Sequence, residues 1–207
     1  MRIFKFGGAS VKDAASVKNV ATVLQKEGHE DVLVVVSAMG KTTNSLESLV
    51  ETYLNDRGQL KTVVQELERF HFEIIDELLD KDKDPLKEKV KALTQELLQF
   101  LEHNKSPNYS FVYDQTVSFG ELISTTIIAY YLKAIGLPAL WLDARKCVKT
   151  DSYYRDANLD WEETQKQIKA QVNGSNLIIS QGFIGSDSNN FTTTPVSYTH
   201  LTLPTKR

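Results

Sequence analysis

The first 38 residues, MRIFKFGGASVKDAASVKNVATVLQKEGHEDVLVVVSA (Met1–Ala38), decide the fold class. Ile3 to Phe6 is a short apolar stretch of strand length that runs directly into Gly7-Gly8. Ser10 stands where a helix N-cap belongs, and Asp13, three residues on, gives a weak capping box. Val11, Ala14, Ala15, Val17, Val20, Ala21, Val23 and Leu24 keep helical spacing, and Gly28 occupies a C-cap position. Val32-Leu33-Val34-Val35-Val36 is an unbroken, β-branched run, the pattern of a strand covered on both faces. The segment therefore predicts strand, glycine turn, helix, strand: one βαβ unit.

Working outward, helical spacing returns from Thr43 to Asn55 and over two long segments, Gln59–Leu79 and Pro85–His103. A charged turn, Asp80 to Asp84, separates the two, with Pro85 suited to a first helical position. The pair predicts a helical hairpin inserted at about residues 57–105, its charges on a solvated face opposite Val64, Leu67, Ile74 and Leu78. After a loop at Lys105–Asn108, Val117-Ser118-Phe119-Gly120-Glu121 leads into a helix closed by Gly136. Ala139–Leu142 and Leu177–Ser180 predict two more buried strands. Between them, Trp161–Val172 predicts a helix capped by Asp160. The alternation predicts an open, mainly parallel sheet with helices on both faces.

Composition removes several function classes. The 207 residues are 41% hydrophobic and 25% charged, ordinary values for a folded domain. With 24 Lys and Arg against 27 Asp and Glu, the net charge of −3 carries no basic block to attract nucleic acid. No apolar run approaches the ~20 residues that span a bilayer, and the start lacks a signal-peptide core, so a cytoplasmic protein is expected. A single cysteine, Cys147, excludes an intrachain disulfide and a cysteine-clustered metal site. The four histidines lack ligand spacing, so no metal site is expected.

Four segments could carry chemistry. In Lys5-Phe6-Gly7-Gly8-Ala9-Ser10, two glycines end a strand and open a helix, which lets backbone N–H groups approach an anion. A lysine within an otherwise apolar strand needs an anionic partner if buried. The alternative is a plain strand–helix turn. Ser37-Ala38-Met39-Gly40-Lys41-Thr42-Thr43-Asn44 follows the second strand, where α/β sheets place ligands, although Thr43 or Asn44 could equally act as a helix cap. Glu121, at the expected start of a helix, either stabilises that first turn or binds a substrate ammonium. Gln181-Gly182-Phe183-Ile184-Gly185 follows another strand and reads first as a turn; Asp143-Ala144-Arg145 reads as a strand-end ion pair.

Together these segments resemble the aspartate kinases of the amino acid kinase superfamily. Lys5 to Val11 is similar to their opening KFGG[TA]SV signature, and Val35 to Met39 with Thr43-Asn44 to their second-strand motif. Phe119-Gly120-Glu121, Gln181 to Gly185 and Phe191 to Thr194 follow in family order, over residues 1–194. The resemblance implies a three-layer α/β/α fold. It implies ATP-dependent phosphorylation of the L-aspartate side chain to 4-phospho-L-aspartate, the first step toward lysine, threonine and methionine, with Mg²⁺. Lys5 would neutralise the transferred phosphoryl group, Gly7 and Gly8 would cradle ATP phosphates, and Ser37, Thr43 and Glu121 would bind aspartate, Glu121 through its ammonium. The family also implies a homo-oligomeric parent, and the long hairpin is similar to that of members fused to homoserine dehydrogenase.

The resemblance stops at Pro195, where the family continues into a Leu-Gly-Arg-Gly-Gly-Ser-Asp-type segment. Pro195–Arg207 instead reads as a non-native tail, a sequence artefact. Residues 1–194 are then expected to form the aspartate-binding part of a kinase domain, in a chain that is itself incomplete and inactive. The alternatives are a catalytically dead amino-acid-binding or dimerising module, or another kinase of the superfamily.

Overall fold

The computed structural model describes residues 1–172 and 177–195. Strand β1 (Arg2–Phe6) leads through a short 3₁₀ turn to helix α1 (Ala14–Glu27) and strand β2 (Val32–Val36). Helices α2 (Thr42–Asn55), α3 (Leu60–Leu78), α4 (Asp84–His103) and α5 (Tyr109–Ala134) follow without an intervening strand. Strand β3 (Ala139–Leu142), helix α6 (Trp161–Val172), strand β4 (Leu177–Gln181) and the two-residue strands β5 (Gly185–Ser186) and β6 (Thr192–Thr193) complete the order.

The main sheet is parallel throughout, with order β1-β2-β4-β3. Val32, Val34, Val36, Leu177 and Ile179 turn one face into the main core, against the layer containing α1 to α5. Leu33, Ile178 and Leu142 turn the other way, where they pack with Cys147 and with Val172 of α6. This is the expected three-layer α/β/α arrangement. Among the described residues, no helix is long and apolar enough to cross a membrane.

The α3–α4 hairpin lies where the charged turn predicts it. Its spacing of buried residues is helical: Leu60, Val64, Leu67, His71, Ile74, Ile75 and Leu78 on α3, and Leu86, Val90, Thr94, Leu97 and Leu101 on α4. The apolar side chains among these share one core with α1, α2 and α5, so the hairpin is integral to the helical layer. Its charges face outward, with Asp76 pairing to Lys83 and Lys87.

Four details differ from the sequence reading. Helix α1 starts at Ala14, and its cap is Asp13, whose carboxylate accepts a 2.7 Å hydrogen bond from the Ser16 amide; Ser10 belongs to the preceding 3₁₀ turn. The glycine pair thus opens that 3₁₀ turn, with Gly7 as its N-cap, and not α1 itself. Among the described residues strand β1 lies at the edge of the sheet and Lys5 is exposed, so burial cost does not explain this lysine. Strand β3 is the other edge, with Leu140 and Trp141 exposed.

The fourth difference matters most. Phe119-Gly120-Glu121 does not open a helix but occupies the middle of α5, which begins ten residues earlier under an Asn108 cap that accepts from the Phe111 amide. Helix α5 is buried on nearly every side from Val112 to Thr125. A helix covered all round shows no apolar stripe, so its first turns carry no periodic signal. The 195–207 tail lies outside the described residues except for Pro195, which forms a bridge with Ala157.

Candidate functional site

Because every strand of the main sheet is parallel, the segments after β1, β2, β3 and β4 all emerge at one edge. Packing there is close. The Gly40 amide donates to the Gly8 carbonyl at 3.1 Å, and the Ser37 amide donates to the Phe6 carbonyl at 3.1 Å. A Cβ on Gly8 would stand 2.8 Å from the Ala38 carbonyl oxygen, so this glycine is required by the contact between the two loops. A Cβ on Gly7 would meet nothing within 4 Å, so the space beside it remains open.

Helix α5 is tied to the loop after β2 and to the end of β4. Ser124 Oγ donates to the Ser37 carbonyl at 2.8 Å, and the Ala38 amide donates to Glu121 Oε1 at 3.1 Å. Farther along, Gln181 Nε2 donates to Thr125 Oγ1 at 2.6 Å, while Gln181 Oε1 accepts from the Ala144 amide at 2.7 Å. The Gln181–Gly185 segment is thus a structural turn, with Phe183 in the left-handed region at φ 66°. Asp143 and Arg145 form the strand-end ion pair at 2.7 Å.

Glu121 is the unusual group. It is 3% exposed, and Oε2 has no hydrogen-bond partner. Burial pushes its carboxyl up to about 7, against the smaller opposing effect of the Ala38 amide. A buried carboxylate with one open oxygen favours a cationic partner, and an ammonium group is the simplest. Thr42 Oγ1 is likewise buried without a partner, at the start of α2, and the next residue, Thr43, is half-buried in the same first turn.

The structure therefore joins Gly8, Ser37 and Glu121 through the loop that follows β2, with Thr43 on the helix which that loop begins. Lys5 stands on β1 opposite Val35, two residues before Gly7, at the same end of the sheet. Among the described residues no group of three His, Cys, Asp or Glu side chains could hold a metal ion.

A profile of the amino acid kinase family matches residues 1–198. The chain belongs to that family. It is 30% identical over 191 residues to the bifunctional aspartokinase/homoserine dehydrogenase 2 of Escherichia coli, covering 90% of this chain and 23% of that enzyme. Its fold is similar to Escherichia coli aspartokinase III solved with lysine and aspartate, with a TM-score of 0.85 and 28% identity over 95% of this chain and 44% of that one. The same enzyme solved with aspartate and ADP gives a TM-score of 0.84, again at 28% identity, covering 94% of this chain and 43% of that one. The chain thus spans 23% to 44% of the length of these relatives. The aspartokinase resemblance read from the motifs is borne out.

Sequence reading misses three polar residues of this family member. Thr42 is hidden by its neighbour Thr43. Asp114 and Gln115, on α5, bond to the Thr192–Thr194 segment. Asp114 lies seven residues before Glu121, a two-turn spacing that would have marked one helix face had α5 been extended back to Tyr109. Gly120 tests how tightly this helix fits. A Cβ there would approach Ala38 Cβ to 2.8 Å, Leu46 Cδ1 to 3.1 Å and Thr42 Cγ2 to 3.3 Å. Gly120→Ala is expected to destabilise the chain by about 1–3 kcal/mol through overpacking, despite a helix-propensity gain of up to about 1 kcal/mol. Urea unfolding of the two proteins measures this, and equal midpoints would refute it.

Proposed function

We propose that residues 1–194 form the aspartate-binding part of an aspartokinase, which transfers the ATP γ-phosphoryl group to the side-chain carboxylate of L-aspartate and yields 4-phospho-L-aspartate. The observation that carries this reading is Glu121, a buried carboxylate with an open oxygen at the edge of a parallel sheet where the family's motif segments meet. The roles follow the motifs. Glu121 takes the substrate ammonium, Thr43 and Ser37 offer hydroxyls beside it, Lys5 neutralises phosphoryl charge, and Gly7 leaves room for the phosphates. The attacking carboxylate is already ionised at neutral pH, so holding two anions together is the main task of the protein. Mg²⁺ would come with the nucleotide phosphates. A cytoplasmic, homo-oligomeric parent fits this reading.

Because the chain spans a minority of its relatives' length, we expect it to bind aspartate weakly without turning it over. Calorimetry should detect L-aspartate binding to residues 1–207, with D-aspartate and succinate, which lack the correctly placed ammonium, binding more weakly. Hydroxylamine trapping with ATP and L-aspartate should yield no hydroxamate. Indifference to the ammonium would sink the role of Glu121. Robust hydroxamate formation would overturn the expectation of an inactive fragment.

A further inference from the structure

Helix α5 carries a second wholly buried carboxylate, Asp114, two turns before Glu121 and on the same face, about 10 Å away along the axis. Among the described residues no salt bridge reaches it; it is held by hydrogen-bond donors. Oδ2 accepts from the Arg155 amide at 2.9 Å and from the Thr194 amide at 2.9 Å, and Oδ1 accepts from Thr194 Oγ1 at 2.6 Å. The next side chain, Gln115, grips Thr192 with both ends of its amide: Nε2 donates to the carbonyl at 2.6 Å, and Oε1 accepts from the amide at 3.0 Å. Two consecutive side chains thus fasten the Thr192–Thr194 segment to the helix that bears Glu121.

The same carboxylate holds a strained turn. Arg155 has φ 68°, a left-handed conformation that is strained for a non-glycine residue and persists only where its surroundings enforce it. From that turn the Arg155 guanidinium lies 4.5 Å from the centre of the Tyr113 ring. The Tyr113 hydroxyl donates to Glu47 Oε1 at 2.8 Å, and Glu47 is one helical turn after Thr43 on α2. Asp114 is therefore the junction between the threonine segment, the 155 turn and the face of α2 that carries Thr43.

We propose that Asp114 is a positioning residue for the amino-acid site: its carboxylate sets the Thr192–Thr194 segment and the Arg155 turn in register with Glu121 and Thr43. The proposal rests on the aspartate-binding reading above, and its test separates the two. Amide hydrogen exchange of the 207-residue chain reports the clamp without any ligand, and calorimetry with L-aspartate reports its effect on the site. In Asp114→Ala, the Arg155 and Thr194 amides are expected to exchange ~10²-fold faster while the Ala38 amide is unchanged. L-Aspartate should bind ~10-fold more weakly. Asp114→Asn can rebuild all three contacts, with its oxygen accepting both amides and its NH₂ donating to Thr194 Oγ1. It should restore exchange and affinity to within ~3-fold of wild type. If Asp114→Ala fails to fold, Thr194→Val, which removes only the hydroxyl contact, should still weaken L-aspartate binding ~3-fold. Unchanged exchange in Asp114→Ala, or faster exchange with unchanged affinity, overturns the proposal, as does Asp114→Asn behaving like alanine. Unaltered affinity in Thr194→Val overturns it as well. Failure of the wild-type chain to bind L-aspartate overturns the functional reading, while the exchange rates still decide the clamp.

Discussion

Lys5→Ala is expected to lower kcat for acyl-phosphate formation by ~10²–10³ in a parent enzyme that contains residues 1–194, the usual loss when one strong donor to the transition state is removed. Lys5 stands on strand β1, two residues before the open space beside Gly7, at the end of the sheet where the motif segments meet. The charge of a phosphoryl group in transfer is spread over its equatorial oxygens, and a fixed cation acts most strongly there. The KM for L-aspartate should change little, because the ammonium of that substrate is assigned to Glu121. Steady-state assay with hydroxylamine trapping separates the two constants. Unchanged turnover would remove Lys5 from the site.

Glu121→Gln should produce two large effects of opposite sign. L-Aspartate binding is expected to weaken ~10²-fold at pH 8, because an ammonium loses a buried counter-charge. The unliganded chain, however, should become more stable at that pH. The Glu121 carboxyl is raised from its ordinary range to about 7 by burial. Between pH 4.5 and 7 the folded state therefore holds a proton that the unfolded state has released. Stability contributed by this group is complete below pH 4.5 and is lost as pH rises through about 7. The loss above pH 8 is on the order of 3 kcal/mol. Glutamine keeps the Ala38 contact and does not ionise, so the difference between the proteins should vanish near pH 4 and grow toward pH 8. Denaturant unfolding at both pH values measures it, and a difference independent of pH would refute the assignment. By the same sign, wild-type affinity for L-aspartate should fall as pH drops through about 7 and Glu121 becomes protonated. The site thus trades stability for a charge held ready for its ligand.

Much of the fold is legible in the sequence where local pattern and tertiary placement agree. The βαβ unit, the α3–α4 hairpin and the Asp160 cap of α6, which accepts from the Glu163 amide, all depend on nearby residues. What escapes is set by distant partners. Nothing within Arg2–Phe6 or Ala139–Leu142 tells that these strands lie at the sheet's edges, because strand order depends on pairing with β2 and β4. The start of α5 is obscured because its buried positions include Asp114, Gln115 and Ser118, polar residues whose partners are the Thr192–Thr194 segment, Arg155 and the helix itself. In the site, Gly8, Ser37 and Glu121 are found through short motifs. Asp114 is not, since it acts across 80 residues of chain.

The strand order also sets a timetable for biosynthesis. Strand β2 acquires its first neighbour, β1, from residues just upstream, but its second, β4, lies some 140 residues further along the chain. At ~5–20 residues per second, a ribosome needs roughly 7–30 s to supply it. Throughout that interval one side of the run Val32–Val36 has its backbone donors and acceptors unmatched, in the most β-prone, uncharged stretch of the protein. Helices α2 to α5 emerge in the meantime and can cover the Val32, Val34 and Val36 face, yet they cannot satisfy the open ladder. The vulnerability of this chain to aggregation is thus concentrated in time, before residue 181 leaves the ribosome.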